Sequence, residues 1–177
     1  EFSNNGTKFY CVRYGNVLGS RGSVIPLWNS KIEKNQPLPV THPDMTRFLL
    51  TLSQAIDLVF YALKHGKGGE IFVKKAPGAK MVNLARAYAE LKTGKKNYPI
   101  EYIGIRAGEK IDEVLVSTEE MRRVDEKKDH FVINHESDFD TKSLKKSIKL
   151  EEYTSASVNS LSIEELKDKM KKLKWVL

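Results

Sequence analysis

The residue types best suited to binding an anionic ligand are concentrated in a glycine-spaced loop near the start of the chain. This loop runs from Arg13 to Ser23 and directly follows an alternating apolar segment. Its three glycines allow positive φ angles and close approach of the backbone to a ligand, while its two arginines and Asn16 supply donors that anionic oxygens require. The loop therefore predicts a binding turn for a phosphorylated ligand. The alternative interpretation is an ordinary glycine-rich connection with solvated arginines.

Two later stretches repeat the same combination of turn residues and arginine. They are residues 41–48, which contain Arg47, and residues 104–110, which contain Arg106. Each arginine stands beside turn-forming residues at the end of an apolar run, which is where sheet-based proteins present groups to ligands. The repetition favours the binding interpretation of the first loop.

Composition limits the classes of function. A chain of 177 residues suffices for one ordinary domain, or for a small domain with part of another, and can bury roughly 70% of its unfolded surface. The net charge is +7, but the lysines are dispersed and often stand beside acids, as in residues 164–169. This pattern is typical of solvated helix faces, so we expect no nucleic-acid binding. No apolar run approaches the roughly 18 residues that a membrane span needs.

The single cysteine and the four histidines exclude two kinds of site. One cysteine, Cys11, cannot form a disulfide framework, and its position within an apolar segment predicts a buried structural thiol in a reducing compartment. The histidines lack metal-ligand spacing, so no metal site is predicted. The first residues carry no basic region followed by an apolar one, and we expect a cytoplasmic protein. Because the chain lacks an initiator methionine, we also expect coding sequence upstream.

Strand and helix patterns alternate along the chain and predict an α/β fold. Expected strands cover residues 7–14, 38–41, 70–74, 100–105 and 131–133. Expected helices begin at residues 23, 51, 81, 111, 117 and 162. Those at 51 and 162 begin at capping boxes, and Gly94 ends the helix that begins at 81. Asp112 and Glu113 would then lie on a helix, point apart and be exposed. Residues 134–147 are predicted to form a loop, and Trp175 is expected to pack on the last helix.

Four motifs stand in the order found in bacterial UDP-N-acetylglucosamine 4,6-dehydratases. They occupy residues 12–26, 42–48, 69–73 and 104–110. The chain resembles this family over about its whole length, including the stretch Glu152–Ser155. The family belongs to the extended short-chain dehydrogenase/reductases, in the branch for capsule biosynthesis and flagellin sugars. The resemblance implies an α/β fold: the C-terminal part of a Rossmann-fold enzyme plus a small mixed α/β substrate-binding domain.

The resemblance also implies a domain division. The last Rossmann elements would cover residues 7–35 and 50–75, interleaved with a substrate-binding domain over 36–49 and 76–177. The sequence contains no G-x-x-G-x-x-G turn and no catalytic tyrosine or methionine followed by a lysine four residues later, features that precede this segment in the family. We therefore expect the N-terminal NAD(P)-binding half and the catalytic residues to lie upstream of residue 1, and the isolated chain to be inactive.

The activity implied by the resemblance is dehydration of UDP-N-acetylglucosamine to a 4-keto-6-deoxy sugar for surface polysaccharide or glycoprotein. In the family a bound nicotinamide, of NADP or NAD, takes hydride from C4, water leaves across C5 and C6, and hydride returns to C6. A UDP-N-acetylglucosamine 4-epimerase of the same family and a non-catalytic nucleotide-sugar-binding module remain alternatives. The implied partners are a UDP-sugar and, at full length, further copies of the same chain.

Site residues follow from the same resemblance. Substrate contacts are expected from Asn16, Val24, Thr41, Arg47, Arg106 and Glu109. Cofactor contacts are expected from Val17, Leu18, Gly19, Ser20 and Arg21. An arginine fork suits diphosphate oxygens and a carboxylate suits ribose hydroxyls, which is the division of labour implied for Arg106 and Glu109. For Arg47 a structural salt bridge within its own turn is the alternative, and Ala107 stands where family members often have proline.

Overall fold

The computed structural model describes residues 6–135 and 151–173, which form a mixed α/β fold. Its helices are α1 (Val24–Glu33), α2 (Leu52–His65), α3 (Met81–Thr93), α4 (Thr118–Met121) and α5 (Ile163–Lys171). Its strands are β1 (Cys11–Arg13), β2 (Asn16–Val17), β3 (Leu38–Val40), β4 (Thr46–Leu50), β5 (Ile71–Lys74), β6 (Gly78–Lys80), β7 (Ile100–Tyr102), β8 (Val114–Val116), β9 (Val124–Glu126), β10 (His130–Ile133) and β11 (Tyr153–Thr154). No helix within the described ranges is long and apolar enough to cross a membrane.

The first of two compact units contains Glu1–Gly15, Leu50–Ala76 and Val114–Thr154. Its main sheet has the strand order β1-β5-β10-β9. β1 is parallel to β5, whereas β10 is antiparallel to both β5 and β9. Helix α2 buries Leu58 and Ala62 in a cluster with Phe72 of β5. A separate antiparallel pair joins β8 and β11.

The second unit contains Asn16–Leu49, Pro77–Glu113 and Ser155–Leu177. It combines the small sheets β2-β4-β6 and β3-β7 with helices α1, α3 and α5. Its core is centred on Trp28 and Tyr88, each only 1% exposed. The Trp28 indole Nε1 donates to the carbonyl of Pro39 at 2.9 Å, so the polar atom of this large buried side chain is satisfied. This unit contains the cavity described below.

Helix ends follow the predicted local signals. Capping boxes are present at Thr51 and Ser162, as predicted, and Gly94 ends α3 with φ +72°. A further capping box is present at Ser117, where only the start of a helix was predicted. Each signal acts within three or four residues, so it does not depend on the rest of the fold. Ser23 is the N-cap residue of α1, but its side chain makes no capping hydrogen bond.

Three expectations about local structure were wrong. No helix begins at residue 111, because β-branched Val114 and Val116 pair in β8 with β11. Cys11 is exposed rather than buried. The strand expected over residues 7–14 is limited to β1, and β2, β4, β6, β9 and β11 were not predicted. These strands are two to five residues long, too short for an alternation pattern. Apart from β9, which pairs with the adjacent β10, their partners are distant in sequence.

The observed division differs in outline from the predicted domain ranges. Residues 16–35 share a unit with 36–49, and residues 114–154 share one with 50–76. The assignment of a Rossmann part and a substrate-binding part stays a prediction. Most of the loop expected over 134–147, and Trp175, lie outside the described residues.

Candidate functional site

A cavity of about 300 Å³ lies within the second unit. Its wall is built from the glycine-rich loop, the first turn of α1, the end of β3, part of β4 and the start of α3. Gly19 and Gly22 both adopt φ +73°, a conformation that glycine reaches without the cost of a Cβ clash. The positive φ angles expected from the loop composition are therefore present at two of its three glycines.

The cavity brings most of the predicted site residues together. Those that line it are Asn16, Val17, Leu18, Gly19, Ser20, Val24, Thr41, Arg47 and Glu109. Arg21 and Arg106 are exposed and are not among the lining residues. The backbone N–H of Arg106 nevertheless donates to Glu109 Oε2 at 3.2 Å. The main chain of Arg106 therefore contacts a residue that lines the cavity. The ligand roles of all eleven residues stay predictions.

Glu109 is held by two donors from different segments. The Thr41 hydroxyl donates to Glu109 Oε1 at 3.3 Å, and Arg106 N–H donates to the other oxygen. Both carboxylate oxygens thus have a partner but retain lone pairs, since each oxygen can accept more than one hydrogen bond. The carboxylate can accept further hydrogen bonds from hydroxyl groups in the cavity.

Most of the hydrogen-bonding capacity of Arg47 is used within the protein. Its Nη1 donates to the carbonyls of Thr46 at 2.7 Å and Ile111 at 2.9 Å. Its Nη2 donates to the carbonyl of Lys110 at 2.9 Å, and Nε lies 3.6 Å from Glu113. A guanidinium has five N–H donors, so these contacts leave one N–H of Nη2 for a ligand. The structure favours the structural interpretation of Arg47, with partners that lie mainly outside the Met45–Phe48 turn.

Glu113 contacts the cavity wall through Asn16. With the Asn16 amide oriented so that Nδ2 faces Glu113, Nδ2 donates to Oε2 at 3.0 Å and to Oε1 at 3.2 Å. The Phe48 N–H also donates to Glu113 Oε2, at 3.4 Å. Burial raises the pKa of Glu113, and this effect outweighs the lowering by Arg47 and by the Phe48 N–H. Glu113 was expected to be exposed on a helix and is instead half-buried among polar partners.

A chain of hydrogen bonds holds the backbone of Glu113 in place. The Glu113 N–H donates to Ser155 Oγ at 2.9 Å. The Thr46 hydroxyl donates to Asp112 Oδ1 at 2.7 Å, so Ser155 must be the donor in its 2.6 Å contact with Thr46. The adjacent acids Asp112 and Glu113 therefore have separate hydrogen-bond partners within the protein, and neither carboxylate is fully solvated.

Sequence reasoning missed Glu113 and Ser155 as members of this region. The available signal was position in the sequence. Glu113 lies shortly after the motif 104–110 that contains Glu109, and Ser155 ends the family-like stretch Glu152–Ser155. Neither position predicts its partners, since these are tens of residues away. Tertiary structure alone brings them together.

Arg13, which we grouped with the ligand donors of the first loop, is committed to a structural contact. It belongs to the first unit, where Nη1 and Nη2 each lie 2.9 Å from an oxygen of Glu120. Nη1 also donates to the carbonyl of Leu115 at 2.7 Å. These contacts use three of the five guanidinium N–H donors, and the ligand contact expected from Arg13 stays a prediction.

One polar atom of the cavity wall has no partner among the described residues. Ser23 Oγ is buried and makes no hydrogen bond, although Ser23 lines the cavity at the N-terminus of α1. A buried hydroxyl without a partner carries a free-energy cost. The N–H groups of a first helical turn also attract negative charge. Together these features make this end of the cavity suitable for an anionic oxygen.

Known proteins resemble the chain over nearly its full length. It is 41% identical over 181 residues to a UDP-glucose 4-epimerase of Rickettsia rickettsii (strain Sheila Smith), covering 98% of this chain and 52% of that protein. A UDP-glucose 4-epimerase of Rickettsia massiliae (strain Mtu5) is 42% identical over 179 residues, covering 97% and 52%. The chain thus spans about half the length of these curated relatives.

A solved structure is similar to the chain in fold. Pen from Bacillus thuringiensis superposes with a TM-score of 0.83 at 39% identity, covering 96% of this chain and 50% of that one. The predicted fold class, that of the extended short-chain dehydrogenase/reductases, is confirmed. The family model described as polysaccharide biosynthesis protein matches residues 1–135, and the chain therefore belongs to the polysaccharide biosynthesis protein family.

Proposed function

We propose that this chain carries the sugar-nucleotide site of an enzyme that modifies UDP-N-acetylglucosamine with a nicotinamide cofactor, NADP or NAD. The leading reaction is 4,6-dehydration to a 4-keto-6-deoxy sugar. The observation that carries the proposal is the single cavity on which the glycine-rich loop, Thr41 and Glu109 converge. Three sequence stretches that were singled out for ligand chemistry thus meet around one space.

We expect one end of the cavity to suit anions and the other to suit hydroxyl donors. At the first end, the N-terminus of α1 and the unpaired Ser23 hydroxyl suit phosphate oxygens. At the second, Glu109 offers an acceptor that suits ribose hydroxyls, and the Asn16–Glu113 pair offers one that suits the hydroxyls of the sugar. A volume of about 300 Å³ is at the lower limit of ligand pockets, so we expect it to enclose part of a UDP-sugar, with the remainder bound near exposed Arg106.

The residues of this chain would bind and orient the substrate. A bound nicotinamide would supply the hydride acceptor and donor for C4 of the sugar. The residues Val17 to Ser20 fit a position beside such a group, because the backbone at Gly19 is open to close approach. Arg47 would maintain the cavity wall by anchoring the chain at Lys110 and Ile111.

Epimerisation at C4 is the second candidate reaction. It is favoured by the names of the curated relatives, which are UDP-glucose 4-epimerases. Both reactions begin with removal of hydride from C4. In dehydration, water is lost across C5 and C6 and hydride returns to C6; in epimerisation, hydride returns to C4 on the opposite face. The UDP end of the site would serve either reaction.

Incubation of the complete natural polypeptide containing this sequence with UDP-N-acetylglucosamine and NAD or NADP tests the proposal. NMR should detect a 4-keto-6-deoxy product; a C4 epimer would identify the second candidate. Calorimetry on the 177-residue chain should detect UDP-N-acetylglucosamine binding, and a catalytically inactive binding module would bind without turnover in both forms. Absence of binding and of turnover in the complete polypeptide would contradict the proposal. NAD versus NADP, and association of several copies, stay predictions.

A further inference from the structure

The orientation of the Asn16 amide is determined by Glu113. An ionised carboxylate can only accept hydrogen bonds, so the amide edge that faces it must be Nδ2. In that orientation Nδ2 contacts both carboxylate oxygens, at 3.0 and 3.2 Å. The carbonyl Oδ1 is then directed away from Glu113. Asn16 itself lines the cavity.

Glu113 is well placed to hold this orientation because its own position is constrained. Its N–H donates to Ser155 Oγ, and its carbonyl accepts from the Ser155 N–H, both at 2.9 Å. Its side chain also accepts from the Phe48 N–H at 3.4 Å and lies 3.6 Å from Arg47 Nε. Ser155 is only 1% exposed. The backbone that carries the Glu113 carboxylate is thus fixed to a buried residue of the second unit.

We propose that Glu113 is a positioning residue that presents Asn16 Oδ1 to the ligand as an acceptor. The site then selects, at this point, a ligand group that donates a hydrogen bond, which is a sugar hydroxyl or the N–H of an acetamido group. A phosphate oxygen would face two acceptors, Oδ1 and the nearby carboxylate, and would be disfavoured. This inference rests on the proposed function, and it reverses the role of anion donor that the loop composition suggested for Asn16.

The electrostatics of the cavity agree with this assignment. The carboxylates of Glu109 and Glu113 make this side unfavourable for a diphosphate, whereas the N-terminus of α1 offers it N–H groups. Asn16 is therefore expected to act on the sugar part of a UDP-sugar and not on UDP. This difference separates positioning from a purely structural role, which would affect both ligands equally.

Calorimetric titration of the complete natural polypeptide with UDP and with UDP-N-acetylglucosamine tests the inference. Loss of one neutral hydrogen bond costs about 1 kcal/mol, so Glu113→Gln should weaken UDP-N-acetylglucosamine about fivefold and leave UDP nearly unchanged. The introduced glutamine amide can donate as well as accept, so it no longer dictates the amide orientation of Asn16. Glu113→Asp, which keeps the charge but is shorter by one methylene, should give a smaller loss.

A double-mutant cycle tests whether Glu113 affects ligand affinity through Asn16. In an Asn16→Ala background, Glu113→Gln should cause no further loss of UDP-N-acetylglucosamine affinity, because the group that it orients is gone. Glu101→Gln is the matched control, since Glu101 is an exposed carboxylate on β7, and it should leave the ratio of the two affinities unchanged. If Glu113→Gln fails to fold, Asn16→Ala alone tests the inference. It should lower the affinity for UDP-N-acetylglucosamine and leave the affinity for UDP nearly unchanged.

The outcomes separate the inference from the proposed function. If both ligands bind the unaltered protein but Glu113→Gln weakens them equally, or acts equally in the Asn16→Ala background, the positioning role is overturned while the UDP-sugar site stands. If Glu113→Gln does not fold, equal weakening of both ligands by Asn16→Ala has the same meaning. If neither ligand binds the unaltered protein, the proposed function fails and the inference fails with it.

Discussion

The hydroxyl groups of Thr46 and Ser155 lie 2.6 Å apart in the buried part of the second unit, although 109 positions separate them in sequence. Thr46 donates its own hydroxyl proton to Asp112, and Ser155 accepts from the N–H of Glu113. One buried contact therefore joins the strand that contains Arg47 to the segment that carries both acids. The arrangement places the Glu113 carboxylate beside Asn16.

We predict that Ser155→Ala lowers the free energy of unfolding by about 1–3 kcal/mol, because it removes the acceptor of the Glu113 N–H and the donor to the Thr46 hydroxyl oxygen. Urea unfolding monitored by tryptophan fluorescence measures the change. Ser53→Ala is the control, because Ser53 is an exposed serine and should change stability by less than about 0.5 kcal/mol. Equal effects of the two substitutions would contradict the network.

The Arg13–Glu120 pair should make the stability of the first unit depend on pH. Hydrogen bonding to Arg13 lowers the pKa of Glu120 below its ordinary value of 4.5. A lowered pKa in the folded state contributes stability above pH 4.5 that is lost as the pH falls through the folded value. Because the pair is partly exposed, we expect Glu120→Gln to cost about 1 kcal/mol at about pH 7 and less in acid, where the carboxyl of the unaltered protein is itself protonated.

Chemical denaturation at about pH 7 and about pH 3.5 measures this dependence. Glu119→Gln is the matched control, since Glu119 is exposed in the same first turn of α4 and lacks the arginine fork. Its cost should be smaller and should vary less with pH. A Glu120→Gln cost that is independent of pH would show that the ion pair does not contribute.

Gly78 should not accept any side chain. A Cβ at this position would clash with the carbonyl oxygen of Ser155 and lie 3.1 Å from Val158 Cγ2. The first obstacle is backbone, which cannot rotate away, so we predict that Gly78→Ala costs about 1–3 kcal/mol, as overpacked sites do. Thermal unfolding measures the loss.

Gly94→Ala is the comparison for that experiment. Its φ of +72° strains an alanine, but no atom lies within 4 Å of the added Cβ. It should therefore cost only the left-handed strain of about 1 kcal/mol. A Gly78→Ala protein as stable as the unaltered chain would mean that the Ser155 segment can move aside.

Glu109 should contribute to the affinity for UDP if the proposed function is correct. It accepts from Thr41 at 3.3 Å and from the Arg106 N–H at 3.2 Å, and it has lone pairs left for ribose hydroxyls. Glu109→Gln replaces one acceptor oxygen by a donor, so UDP affinity should fall about tenfold or more, the value of one hydrogen bond to a charged group. Calorimetric titration with UDP measures it.

Glu101→Gln provides the control for Glu109→Gln. It removes the same charge from an exposed position on β7 and should leave UDP affinity unchanged. If the two variants bind UDP equally well, Glu109 does not contact the nucleotide. The loss in Glu109→Gln should differ from that in Glu113→Gln, which we expect to affect only the sugar-bearing ligand.

Local signals were sufficient for several helix ends and for the backbone conformation of the glycine-rich loop. The capping boxes at Thr51, Ser117 and Ser162 and the terminator Gly94 act over three or four residues, and the positive φ angles at Gly19 and Gly22 follow from the absence of a side chain. The sequence motifs were also sufficient for the fold class. Such features need no information about distant parts of the chain.

Tertiary structure alone decided which polar groups meet. Arg13 stands in the same loop as Asn16, yet it pairs with Glu120, more than a hundred positions away. Glu113 lies in a stretch that was predicted to be helical. The following residues instead pair in β8, and Glu113 lies beside Arg47 with the Asn16 amide as a partner. The physical reason is that ion pairs and short strands draw their stability from contacts between distant segments, and the residues near them in sequence carry no signal of those contacts.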